Sequence, residues 1–120
     1  MTNEFIEHLK DVFRLFGPFA AKRMFSGHGL FRDGLMFGLV VRDTLYLKAD
    51  AQTFPQFEAL GLAPFEYQRA GKRARLSYYA APEAVTEDAA EAARWARMAL
   101  AAALRANAAK TTKRTRGKRP

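Results

Sequence analysis

Two histidines, one of them between glycines, and a few clustered cations are the residues of this 120-residue chain whose types and spacing could do chemistry. General acid-base catalysis needs titratable groups gathered by the fold, and His8 and His28 lie far apart, the first among helically spaced apolar residues, the second between Gly27 and Gly29. A histidine between glycines is open to a ligand, and it is equally a loop side chain bonded to a neighbouring carbonyl; the structural reading is preferred. Ser26-Gly27-His28-Gly29 lacks the lysine of a phosphate-binding loop and the preceding strand of a dinucleotide site. Asp33, Asp43 and Asp50 are accounted for by turn and cap chemistry, and Glu83, Glu87 and Asp88 lead into a helix. With no cysteine, thiolate nucleophiles, thiolate metal sites and disulfides are excluded, and the carboxylates show no ligand spacing. No catalytic, cofactor-binding or metal-binding residue is assigned, and a non-enzymatic protein is expected.

The remaining chemistry is electrostatic. Arg69, Lys72, Arg73 and Arg75 place four cations on and beside one predicted hairpin loop, where they could follow a phosphate backbone or an acidic protein surface. Lysine and arginine also protect edge strands against aggregation, which is the plainer explanation. Of the net charge of +8, +6 belongs to Lys110, Lys113, Arg114, Arg116, Lys118 and Arg119, while residues 1–109 hold 14 basic and 12 acidic residues. The tail, 109–120, carries nothing to bury, so it is expected to be disordered. It can add salt-dependent, nonspecific affinity for DNA or RNA, or serve only as a solubilising end.

The elements that must position these groups follow from the apolar pattern. Phe5, Ile6, Leu9, Val12, Phe13 and Phe16 recur at steps of three and four, predicting a helix from Asn3 to Phe16 that Thr2 or Asn3 caps and Gly17-Pro18 stops. Residues 22–31 fit no simple period and read as a shaped loop entering a strand. Leu30–Arg32 and Leu35–Val41 are strands joined by Asp33-Gly34, and Arg42-Asp43 separates the second from Thr44–Lys48. A short helix starting near Thr53 precedes a second hairpin, Phe65–Arg69 with Ala74–Tyr79. Thr86 is the expected cap of a last helix running from Ala89 to about Ala108. Its apolar arc, with Trp95, Met98, Ala99 and Ala102 beside Ala96, Leu100, Ala103 and Leu104, is wider than one sheet surface needs. Burial between layers or contact with a second copy in a homodimer would use that width; alanine's low cost on a helix surface needs neither.

The order α-β-β-β-α-β-β-α gives an α+β, two-layer domain with a curved antiparallel five-stranded sheet. Helices cover one face, and Tyr46, Lys48, Tyr79 and Arg75 are expected on the other. Residues 1–108 form one domain, without repeats. No apolar run reaches the roughly 20 residues of a membrane span, and Glu4, Glu7 and Asp11 stand where a secretory signal would be basic and then apolar, so a cytoplasmic protein is expected.

Arg23-Met24-Phe25-Ser26-Gly27-His28-Gly29-Leu30-Phe31, followed by Asp33-Gly34 and Met36-Phe37, resembles the signature loop of the TfoX/Sxy amino-terminal domain family, although many relatives have glycine where Ser26 stands. Leu45-Tyr46-Leu47-Lys48, Phe65-Glu66-Tyr67, Ser77-Tyr78-Tyr79 before Pro82, and Trp95-Ala96 extend the resemblance over about residues 5–108. It implies a bacterial protein related to regulators of natural competence, with a secretion-chaperone-like fold and no catalytic residues to carry over. In that family this domain usually precedes a carboxy-terminal helical domain, and the full regulator works with the cyclic AMP receptor protein. A stand-alone amino-terminal domain is expected here. The function expected is therefore a regulatory or protein-interaction module assisting transcriptional regulation, with an unidentified protein partner. The alternative is a nonspecific nucleic-acid-binding protein using the tail and the 69–75 hairpin.

Overall fold

The computed structural model describes residues 3–24, 27–69 and 72–117, with Asn3, 67–69, 72–76 and 110–117 described by backbone alone. The elements are α1 (Asn3–Val12), β1 (Ala20–Met24), β2 (Gly27–Arg32), β3 (Leu35–Val41), β4 (Thr44–Lys48), α2 (Phe54–Ala59), β5 (Pro64–Arg69), β6 (Lys72–Ala80), a 3₁₀ turn (Glu83–Thr86) and α3 (Ala89–Gly117). Among the described residues no helix is long and apolar enough to cross a membrane.

The fold is α+β with an antiparallel sheet of six strands, not five, in the order β1-β2-β3-β4-β6-β5. The additional strand is β1, within and ahead of the stretch expected to be a loop. Its sequence, Ala-Ala-Lys-Arg-Met, is mostly exposed and has no apolar alternation, because an edge strand is defined by the neighbour it pairs with. Two tight turns set the β2-β3 and β3-β4 registers. Asp33 and Gly34 take φ of 53° and 80°, Arg42 and Asp43 take 52° and 57°, the left-handed pair that matches the twist of a two-residue hairpin.

α1 ends at Val12, earlier than its apolar stripe suggests, and continues as turns in which the Phe16 and Gly17 N–H groups donate to Phe13 O. Arg32 clamps this exit: its guanidinium donates to Phe16 O and Pro18 O, each at 2.8 Å, and lies 3.9 Å from the Phe16 ring centre. α2 begins one residue after Thr53, with Pro55 in its first turn as expected. The cap of α3 is Asp88 rather than Thr86: Asp88 Oδ1 accepts from the N–H groups of Ala90 at 2.8 Å and Glu91 at 3.2 Å. Thr86, the last residue of the 3₁₀ turn, donates its hydroxyl to Glu83 O instead. The helix then continues past Ala108, its backbone carrying residues 110–117, where a disordered end is expected from composition.

The main core joins α1, α2, α3 and the sheet. Phe13 and Phe37 lie at its centre in edge contacts with Phe19, and Phe57 stacks on Tyr79 and meets Trp95 edge-on. Ala92, Ala93, Ala96, Ala99, Ala102 and Ala103 are all buried within the chain, which accounts for most of α3's wide apolar arc.

Candidate interaction surfaces

Successive strand residues separate into two apolar groups, as the pleat requires. Val40, Leu45, Leu47 and Tyr79 join the helix-containing core, whereas Leu39, Val41, Tyr46 and Tyr78 join a second cluster that, among the described residues, contains no helix residue. Tyr79, expected on the side away from the helices, therefore belongs to the core, where its hydroxyl donates to Glu58 Oε2 at 2.8 Å. Tyr46 meets expectation, and Arg75 pairs in register with Glu66, its side chain lying outside the described residues.

The second cluster is a soft aromatic and methionine surface. Leu39, Val41 and Tyr78 are buried beneath half-buried Met36, Tyr46 and Phe65, and the Tyr46 and Phe65 rings meet edge-on at 5.0 Å. The Tyr78 hydroxyl donates to Met36 O at 3.2 Å, and burial pushes its pKa up to about 12. Lys22 lies over Phe31 and Lys48 over Tyr78, each ammonium 5.2 Å from the ring centre.

Of the signature-loop residues, Arg23 and Met24 belong to β1, and Gly27, His28 and Gly29 belong to β2; Phe25 lies outside the described residues. His28 is half-buried and pairs with both Arg23 and Val40. It therefore shares Val40's side of the sheet, away from the second cluster, and among the described residues its imidazole makes no hydrogen bond. His8 Nε2 lies 2.7 Å from Thr86 O and fastens α1 to the 3₁₀ turn. No group of three His, Asp or Glu among the described residues could hold a metal ion.

Arg69 and Lys72 face each other across the β5-β6 hairpin, Arg73 pairs with Gln68, and Lys110, Lys113, Arg114 and Arg116 fall in the last turns of α3. Lys118 and Arg119 lie outside the described residues. Sequence reasoning missed the contact that orients α3 over the sheet. Arg105 Nε donates to Asp50 Oδ2 at 2.6 Å and Nη2 to Oδ1 at 3.0 Å, across 55 positions of sequence. Those bonds, together with the positive charge, hold the Asp50 carboxyl below its ordinary pKa and raise that of the guanidinium. The pair borders a shallow cavity of about 360 Å³ lined by Lys48, Phe54 and Ser77. An acid in a turn and an arginine on a helix carry no local signal of each other.

The model of the TfoX N-terminal domain matches residues 11–103. The chain is also 32% identical, over 78 residues, to the DNA transformation protein TfoX1 of Aliivibrio fischeri; the aligned stretch is 62% of this chain and 37% of that protein. The chain thus spans little more than a third of the curated relative it matches. With its signature glycines and histidine in the β1-β2 hairpin and its Trp95 helix against the sheet, this chain belongs to the TfoX N-terminal domain family.

Proposed function

We propose that this chain is a non-enzymatic regulatory module, bacterial and cytoplasmic, in which the helices form one layer and the sheet's other face docks a partner protein that acts in transcription. The observation that supports it is the second apolar cluster. A sheet that buries Leu39 and Tyr78 on the side without helices, and leaves Met36, Tyr46 and Phe65 half-buried above them, presents the adaptable apolar surface common at docking sites. The relative's printed name ties it to DNA transformation, and a part in competence control is proposed for this chain on that likeness.

A photo-crosslinking residue placed at Tyr46, compared with one at exposed Glu7 on α1, tests the reading in native cells. The expected result is a protein adduct formed from position 46 alone, lost when Met36→Lys is added. Equal adducts from both positions, or adducts that persist with Met36→Lys, would sink it.

A further inference from the structure

The two basic segments, read separately from the sequence, are brought to one end of the sheet. Ala81 N–H bonds to Leu45 O near the start of β4, and the 3₁₀ turn and α3 follow at once. By Arg105 the helix has reached Asp50, two residues past the end of β4. α3 therefore travels with β4, and its extension to Gly117 leaves the body at the end where β4 stops. β6 runs opposite to β4, with Tyr78 opposite Lys48, so its first residues also project beyond that end. At 3.3 Å per residue, Lys72 stands about 20 Å beyond the Lys48 pairing, and at 1.5 Å per residue Gly117 stands about 18 Å beyond Arg105. Two arms of similar reach thus start from the ion pair.

Both arms are cationic. β6 contributes Lys72, Arg73 and Arg75 beside Arg69 of β5. The helix has no acid after Glu91, and its extension holds Lys110, Lys113, Arg114 and Arg116, the first three spaced three and four apart as one helix face requires. We infer that the two arms form one surface that straddles the phosphate backbone of double-stranded nucleic acid without reading its sequence. A membrane is a poorer fit: residues 110–117 contain no apolar residue to enter an acyl layer, and interfacial helices depend on one. A polyanion with charges at regular intervals satisfies two separated cationic arms together. This inference does not rest on the sheet-face reading, since no residue of the second cluster takes part.

Binding of the full chain to a labelled duplex of about 20 base pairs, followed by anisotropy from roughly 50 to 200 mM salt, tests it. One variant replaces Arg69, Lys72, Arg73 and Arg75 by glutamine; another replaces Lys110, Lys113, Arg114 and Arg116. Each is expected to flatten the slope of log K against log salt by about 2 to 4, near 0.9 for every phosphate no longer neutralised, and the combined variant to lose binding at the upper salt limit. A third, milder variant, Lys72→Gln with Arg73→Gln, is expected to flatten the slope by about 1 to 2, and decides the question should the fourfold glutamine hairpin fold poorly; an unchanged slope in it would overturn the single surface. A hairpin glutamine variant that folds and binds as the wild type does would overturn the single surface. Equal affinity for vesicles of anionic phospholipid would overturn the assignment to nucleic acid.

Discussion

The two sides of the sheet are built from alternate residues of the same strands, yet they are finished differently. On the helix side, Phe13, Phe37, Phe57 and Trp95 interlock beneath three helices, and the glycine at position 38 leaves room for Leu30. On the other side, among the described residues, three buried side chains are covered by the half-buried Met36, Tyr46 and Phe65, one methionine and two rings able to shift. The difference teaches where this domain holds its stability and where it retains conformational freedom.

The largest effect tests the helix side. Phe13→Ala removes a fully buried ring that touches Phe16, Phe19 and Phe37, and should cost about 3–5 kcal/mol, measured as a drop in the urea midpoint. Leu39→Ala removes an equally buried side chain from the other side. Its neighbours Met36 and Tyr46 can close on the gap, so about 2 kcal/mol is expected, the lower end of the range for such truncations. If the Leu39 loss matched the Phe13 loss, the second cluster would be core rather than a docking surface.

The glycines flanking His28 repeat the contrast on a smaller scale. A β-carbon at Gly27 would overlap the Val40 carbonyl oxygen, so backbone must move, and Gly27→Ala should cost about 3 kcal/mol. At Gly29 the nearest atoms are Met24 Sδ at 2.6 Å, Met36 Sδ at 2.8 Å and Phe31 Cε1 at 2.9 Å, mainly the ends of flexible side chains. Gly29→Ala should cost about 1 kcal/mol and alter the methionine signals of the second cluster in a methyl NMR spectrum. A reversed order of the two losses would mean that the rigid and yielding environments are exchanged.

Local signals carried much of this into the sequence. The stripe of α1, the Asp33-Gly34 turn and the break at Arg42-Asp43 depend on residues within a few positions of one another; both turns are found as read, and the stripe is a helix that stops at Val12, four residues short of Phe16. Features set by distant partners were not legible. β1 is a strand because β2 lies beside it; Tyr79 faces the core because Phe57 lies there to stack on; Arg105 is fixed by Asp50. Thr86 and Asp88 are both good caps, and only the 3₁₀ turn that Pro82 opens and Thr86 ends decides between them. The signature loop was visible as a motif, but its hairpin form rests on pairings that run through to Val40 and Val41.

The smallest expected effect concerns the ion pair from which the two basic arms diverge. Asp50 and Arg105 are bonded twice but stay partly open to water, so solvent screening limits the pair's contribution to under about 1 kcal/mol. Its pH dependence has a definite sign. The folded state holds the Asp50 carboxyl below the unfolded value of about 3.9, so the contribution is complete above that value and is lost as the pH falls through the lower, folded one. Asp50→Asn should therefore lower the urea midpoint slightly at pH 7 and converge on the wild type in acid, once the pH has fallen below the folded-state value, with Arg105→Gln behaving alike. Convergence would make the pair a positioning contact for α3 rather than a support of the core; a gap that persisted in acid would assign its weight to the Asp50 turn, where the Gln52 N–H also donates to the carboxylate.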